Sequence, residues 1–331
     1  MPDGGTLHSL GPFRGPRWLP GGHAQTIYPY FLTRTIIEYR RDRVDTHDGD
    51  FWDFDWLVDA PGIATDAPLV VLFHGLEGNA RSHYSLLLMQ HLAARRWRGV
   101  VAHFRGCGGA PNLRPRAYHS GDHEEVGAML AALRARVDPR TPVYAVGVSL
   151  GGSALLNWIG RAGTEAQHTL VAAAVASVPL DLMAAGVAIG QGLNRVYTRF
   201  FLHSLKPKAL SMAGRFPGLL DAARIARVRT MWDFDDAVTA PLHGFAGTRD
   251  YWTRASSKPW LAHVALPTLV VNARNDPFVP GASLPSSADV ARAVVLEQPE
   301  TGGHAGFMSG PAPGRIDWLP QRVLAFFARG Q

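Results

Sequence analysis

One cysteine, Cys107, occurs in 331 residues. A single thiol excludes an intramolecular disulfide framework and fits a reducing, cytoplasmic setting. Lysine is nearly absent, at Lys206, Lys208 and Lys258 only, so the net charge of +6 rests on arginine. The arginines are dispersed, with no basic stripe interleaved with aromatics, and no nucleic-acid partner is expected. Charged residues make up only 18% against 47% hydrophobic, which excludes a disordered chain and leaves apolar side chains for a large core. Long hydrophobic runs are missing too. Residues 141–160 and 182–194 lack Asp, Glu, Lys and Arg. However, the first is interrupted by Gly147, Ser149, Gly151 and Gly152, and the second is shorter than the ~20 residues of a membrane span. Neither a stable span nor a signal peptide is expected. H-E-x-x-H and C-x-x-C are absent, and FRGCGGAPN (104–112) lacks phosphate-loop spacing, so it reads as a tight turn after a strand. No metal and no cofactor are expected.

Short continuous apolar runs are present at 68–75, 99–106, 143–149, 171–179, 267–276 and 293–298. Strands that are apolar throughout are those buried on both faces of a parallel sheet. Helical periodicity fills 82–97, 121–137, 150–163 and roughly 316–329. Alternation of this kind predicts an α/β fold with a mostly parallel, doubly wound sheet. FWDFDWL (51–57), whose apolar and polar residues alternate, reads as an earlier antiparallel strand, and the Pro- and Gly-rich residues 1–35 as a surface wrap. The rhythm breaks at 181–265, where NRVYTRFFLHSL, ALSMAGRF and LLDAARIARVRTMWDFDD are helical pieces with no convincing strand. The expected division is therefore 1–66, N-terminal wrap and first strands; 67–180 and 266–331, the core; and 181–265, a helical lid.

Gly147-Val148-Ser149-Leu150-Gly151 is a G-x-S-x-G sequence between an apolar strand and an apolar helix. In that context it predicts a nucleophile elbow, whose flanking glycines relieve crowding and whose turn aims the hydroxyl away from the sheet. A serine hydroxyl needs a base to accept its proton. His304, in Gly302-Gly303-His304 after the last strand, is the candidate base. Asp276, which ends a strand before Pro277, is the candidate acid that orients it. Both belong at the C-terminal sheet edge, where open α/β proteins build sites, and the order Ser…Asp…His is that of α/β hydrolases. Asp250 is the second-ranked acid. In LFHGLEGN (72–79) the Leu76 backbone N–H is a candidate oxyanion donor beside that of Leu150, with His74 read as structural. Cys107 reads as a packed thiol. Leu182, Met183, Val187, Ile189, Tyr197, Phe200 and Phe201 are candidates to line an acyl pocket.

Seven segments, GGHAQTIYPYF (21–31), LFHGLEGN, HFRGCGG (103–109), YHSGDHEE (118–125), VGVSLGG (146–152), NARNDPFVP (272–280) and GGHAGF (302–307), together resemble the YheT-like branch of the α/β-hydrolase superfamily. The likeness runs from about residue 15 to the C-terminus. It implies a Ser149, Asp276 and His304 triad and carboxylic-ester hydrolysis. The expected partner is a small-molecule ester, with a medium acyl chain, and the reaction needs no cofactor. Some eukaryotic relatives act on lipid esters behind an N-terminal anchor, for which no apolar stretch occurs here. Alternatives in the same site are lipase or phospholipase cleavage, thioester hydrolysis and acyl transfer. A non-catalytic binding protein of the same fold is the remaining alternative. The resemblance assigns no role to His23-Ala24-Gln25-Thr26, which either braces the site loops or caps a helix.

Overall fold

The structure, a computed structural model, describes residues 11–33, 35–59 and 61–329. Eight strands form one sheet: β1 (Tyr39–Asp45), β2 (Phe51–Leu57), β3 (Leu69–Phe73), β4 (Arg98–His103), β5 (Val143–Val148), β6 (Ala172–Ala176), β7 (Thr268–Val271) and β8 (Val294–Glu297). Their order is β1-β2-β4-β3-β5-β6-β7-β8, antiparallel at β1–β2 and β2–β4 and parallel from there on. The expected mostly parallel sheet and all six apolar runs are present.

Successive side chains of a strand point to opposite faces, and here both faces are covered. Leu69, Val71 and Phe73 pack with Leu133, Leu155 and Ile159 on one side. Val70 and Leu72 pack with Met89, Leu92, Val323 and Phe327 on the other. The covering helices are α2 (His83–Ala94) and α11 (Trp318–Ala328) on the second face and α3 (His123–Arg134) and α4 (Leu150–Ala162) on the first.

Three expectations need correction. Residues 1–35 are not simply a wrap: α1 (Gly22–Leu32) lies within them, without a side-chain N-cap and with Pro29 inside, which hid its helical character. Residues 1–10 of that stretch lie outside the described residues. Within the first strands expected in 1–66, β1 could not be placed, because YRRDRVD is mostly charged. It is an edge strand with a single buried residue, Val44, and charge on an edge discourages unwanted pairing. β2 is buried at every position rather than on alternate ones. Its two acids are satisfied across the ladder, where Arg43 stands opposite Asp53 and Arg41 opposite Asp55. Each arginine donates from two nitrogens, at 2.7 and 2.9 Å and at 2.7 and 2.8 Å respectively.

Between β6 and β7 the chain is helical, with α5 (Leu182–Ile189), α6 (Arg195–Arg215), α7 (Ala222–Arg227), α8 (Met231–Phe234), α9 (Ala240–Leu242) and α10 (Thr248–Ala255). The first two helical pieces expected there are one helix, α6. Pro207 lies on its exposed face while Leu202, Leu205, Ala209 and Ala213 bury the opposite side in a small core of their own. No helix among the described residues is long and apolar enough to cross a membrane.

Just past the end of β4, Arg105 is 3% exposed and bound to Glu125 at 2.6 Å, Asp48 at 2.8 Å and Asp50 at 2.9 Å. Burial works against the Asp48 carboxylate. Hydrogen bonds from Thr46 and Arg105, with the arginine's charge, outweigh it and bring Asp48 down to about 2. Asp50 is likewise lowered, by the Leu113 N–H and the Asn112 amide against burial. Carboxylates depressed in the folded state stabilise it above their unfolded value, and that contribution is lost as pH falls through the folded one. Acid unfolding is therefore expected between about pH 4 and pH 2. Replacing Arg105 by Met strands buried carboxylates, and urea unfolding at neutral pH should show a loss of roughly 3–5 kcal/mol.

Candidate active site

The geometry starts from the parallel pairing of β3 with β5, in which Phe73 is in register with Gly147. Both strands end at the same edge. The chain reaches β4 from β3 in one direction and β5 in the other, which makes this a topological switch point with an open crevice. Gly75 and Ser149 leave their strands side by side, so that a Cβ on Gly75 would lie 3.2 Å from the Ser149 Cβ.

Ser149 takes φ 53°, ψ −121° at the N-terminus of α4. This is a strained conformation for a side chain bearing a Cβ. The turn closes only because its flanks lack side chains. A Cβ on Gly147 would stand 2.5 Å from the Gly152 Cα, and one on Gly151 2.4 Å from the His74 carbonyl oxygen. The Ser149 hydroxyl does not cap α4 and lines a cavity instead.

His304 Nδ1 donates to Asp276 Oδ2 at 2.8 Å. The Asp276 side chain is wholly buried, and its other oxygen accepts the Phe278 N–H at 2.8 Å and the Val279 N–H at 3.3 Å. With Nδ1 committed to a carboxylate, Nε2 is the nitrogen left to accept a proton. His304 lines the same cavity as Ser149, although no hydrogen bond joins the two in this structure. Asp250 is elsewhere: it accepts the Ala246 N–H and pairs with Arg254.

The β3 loop is held by groups that sequence reasoning missed. The Gly75 N–H donates to the Tyr84 hydroxyl at 2.9 Å, and the Glu77 N–H to the Tyr118 hydroxyl at 2.8 Å. The Gly78 N–H returns to the Gly75 carbonyl. Between them the Leu76 N–H has no protein acceptor among the described residues, and neither has the Leu150 N–H. Both residues line the cavity. Two unpaired donors beside one hydroxyl can stabilise negative charge developing on a substrate oxygen. His74 is fully buried. It donates from Nδ1 to the Gly75 carbonyl at 2.8 Å and accepts the Phe104 N–H at Nε2. Burial pushes its imidazole down to about 3, so it is a neutral strut of the loop. Burial likewise pushes the Cys107 thiol up to about 12, leaving no thiolate at neutral pH.

The cavity holds about 500 Å³. Of the residues expected to line it, Leu182, Ile189 and Phe201 do so. Val187 and Phe200 instead point outward, 49% and 69% exposed. Met183 packs with Tyr251 and Trp252, and Tyr197 rests against Phe278 with ring centroids 4.6 Å apart. The insertion adds Leu205, Phe234, Val238 and Leu242 to the wall. It also adds Asp235, which burial raises to about 6 while the Trp252 indole N–H donates to it at 2.7 Å. Lys208 of α6 reaches Glu77 at 2.8 Å.

α1 ties the two loops that carry Asp276 and His304. The Gln25 amide oxygen accepts the Gly302 N–H at 2.8 Å and the Asn275 amide at 3.0 Å, while its nitrogen donates to the Leu19 carbonyl. Thr26 Oγ1 accepts the His304 N–H at 2.9 Å, and Asn275 Oδ1 the Gly303 N–H at 3.0 Å. A Cβ on Gly306 would lie 2.0 Å from the Gln25 carbonyl oxygen and one on Gly22 1.9 Å from that of Asn275. The Gly-His-Ala-Gln-Thr segment is thus a brace. The only signal for it in the sequence was the motif itself. Ser177 completes the support, its hydroxyl accepting the Ala305 N–H at 2.8 Å.

Comparison with known proteins places the fold. A family model described as alpha/beta hydrolase fold matches residues 68–311. YheT of Escherichia coli (strain K12), designated an esterase by inference, is 36% identical over 324 residues, 97% of this chain and 94% of YheT. Human phospholipase ABHD3 is 29% identical over 320 residues, 94% of this chain and 77% of that protein. Among solved structures, the esterase Pf2001 of Pyrococcus furiosus superposes with a TM-score of 0.55 at 16% identity, covering 97% of this chain and 99% of that one, a likeness of fold alone.

The brace has a measurable consequence. Replacing Thr26 by Val removes the acceptor of the His304 N–H, and replacing Gln25 by Leu frees the Gly302 loop. Each is expected to slow reaction of Ser149 with a fluorophosphonate roughly 10- to 100-fold, with little change in the thermal midpoint. Loss of stability without loss of reactivity would restrict the segment to holding the fold.

Proposed function

The chain belongs to the α/β-hydrolase fold family, and on that premise we propose that it hydrolyses carboxylic esters through an acyl-enzyme formed on Ser149. The observation that carries this reading is the 2.8 Å bond from His304 Nδ1 to Asp276, on the wall of a cavity that also contains Ser149 and the unpaired N–H groups of Leu76 and Leu150. Each of these groups has one task in such a reaction.

His304 Nε2 takes the Ser149 proton as Oγ bonds to the ester carbonyl carbon, and the carbonyl π electrons move onto oxygen. The Leu76 and Leu150 N–H groups hold that oxyanion, one such donor being worth about 3 kcal/mol, or ~100-fold in rate. As the C–O bond to the alcohol breaks, the departing oxygen takes the proton from His304. Water then enters by the same route and releases the acid. Asp276 holds the imidazole in the required tautomer. The Ser149–His304 hydrogen bond is expected to close when substrate is present, since such contacts are commonly long in the unliganded state.

The helical insertion is proposed as a cap. Its aliphatic wall suits an acyl chain, and a cavity of about 500 Å³ is within the range for small molecules. Lys208 and Glu77 at the wall suit a polar end. An ester with a medium acyl chain fits both, and relatives named as esterase and phospholipase support ester bonds as the target class.

A fluorophosphonate probe should label the wild-type protein and leave Ser149→Ala unlabelled. Failure of the first, or equal labelling of the second, refutes the proposal. Asp276→Asn should lower kcat on a p-nitrophenyl ester by roughly 10⁴-fold. A series of acyl lengths, with acyl-CoA thioesters and phospholipids beside it, separates esterase from thioesterase and phospholipase.

A further inference from the structure

Two helices expose apolar side chains in rows. On α1, Ile27, Tyr30 and Phe31 are 47%, 67% and 71% exposed, at spacings that place them on one side of the helix. In the turn before α6 and along its first turns, Leu193, Val196 and Phe200 are 72%, 62% and 69% exposed. Scattered exposed hydrophobes need no explanation, whereas grouped ones mark contact surfaces.

These rows share a junction, and that junction borders the cavity. His23, one turn before Ile27, stacks on Tyr197 of α6 with centroids 5.8 Å apart, and its Nδ1 lies 3.1 Å from the Tyr197 hydroxyl. The Tyr197 ring meets Phe278, which lies 4.4 Å from the His304 ring. Phe201, the neighbour of Phe200, lines the cavity itself. The apolar surface is therefore the outer side of the rim whose inner side holds the proposed base.

Charge decides what covers it. α1 carries no Asp, Glu, Lys or Arg. α6 carries Arg195, Arg199, Lys206, Lys208 and Arg215 and no acid. Lys208 is paired with Glu77, and Lys206 donates to the Ala226 and Val228 carbonyls. Arg195 and Arg199 alternate with Val196 and Phe200, are exposed, and have no acidic partner among the described residues. Apolar side chains interleaved with unpaired cations on one helix face suit the boundary between acyl chains and anionic headgroups. A second copy of the chain would bring the same arginines into an interface to which neither α1 nor α6 contributes an acid.

We propose that the outer faces of α1 and the first half of α6 form a docking surface for an anionic lipid bilayer, with Phe200 and Tyr30 entering the headgroup region and Arg195 and Arg199 facing lipid phosphates. Docking there would set the cavity rim against the membrane, so that an ester leaving the bilayer meets the site without crossing water. The docking itself does not depend on the ester-hydrolase reading.

The test is co-sedimentation of the full chain, in a Ser149→Ala background so that no lipid is consumed, with vesicles of phosphatidylcholine alone or mixed with phosphatidylglycerol. Binding is expected to the mixed vesicles, to weaken with salt, and to be feeble on phosphatidylcholine. Each arginine brought against an anionic surface strengthens binding about fivefold, so Arg195→Glu with Arg199→Glu should weaken it at least about 25-fold. Val196→Asp with Phe200→Asp should weaken it about tenfold or more, with the thermal midpoint unchanged. In the Ser149 background these same pairs should leave fluorophosphonate labelling unaltered, so that loss of docking and loss of chemistry are read separately. The proposal is overturned if the protein stays in the supernatant with both vesicles, or if both substituted pairs bind like the parent. It is also overturned if the parent is a dimer that Phe200→Asp dissociates, which would assign the surface to a second copy.

Discussion

The in-register parallel pairing of β3 with β5 is the constraint on which the site depends. It brings the ends of two strands distant in the chain to one point of the sheet edge, with Phe73 beside Gly147. Everything that follows is a matter of clearance. Gly151 passes the His74 and Phe73 carbonyls and Gly147 passes Gly152 at distances that leave no room for a methyl group, and Gly75 passes Ser149 closely. Positive φ at Ser149 is the strain held by this packing. The pairing supplies a hydroxyl and two free N–H groups at one place, and it does so with backbone, which cannot rotate away.

The opposite wall is built differently. Asp276 and His304 stand on loops after β7 and β8, and loops need support to be accurate. Here the support is a set of hydrogen bonds to the backbone of the His304 loop, from Gln25 and Thr26 of α1, from Asn275 and from Ser177. Backbone N–H groups from Gly302 through Ala305 are accounted for, whereas those at Leu76 and Leu150 are not. Full satisfaction where the loops need holding, and two unpaired N–H groups beside the Ser149 hydroxyl, is the contrast between the two walls. The helical insertion closes the cavity with its own small core and is pinned to the base by contacts such as Lys208 with Glu77 and Asn194 with the Pro277 carbonyl.

Much of this was legible in the sequence. The interior strands β3 to β7 announced themselves because a strand covered on both faces is apolar almost throughout, and the covering helices because their periodicity is unmistakable beside such runs. Ser149, Asp276 and His304 stood out through their order and their places after strands. β1 was illegible because its edge position favours charge over hydrophobicity. The buried acids Asp53 and Asp55 looked like an exposed face until Arg43 and Arg41 came opposite them. Tyr84 and Tyr118 gave no signal, since an aromatic on an amphipathic stretch reads as core, and nothing local shows that its hydroxyl meets a particular backbone N–H.

What the sequence determined by itself was the type of layer, the sheet edge at which the candidate residues stand and the elbow turn, since these follow from local periodicity and from the glycines a tight turn demands. What only the tertiary structure decided was which partners meet: that α1 braces the His304 loop, that Phe200 and Val187 face outward while Phe201 faces the cavity, and that two N–H groups are left unpaired. Those outcomes depend on contacts between segments up to hundreds of residues apart, and no local preference encodes which of many compatible surfaces a side chain will find.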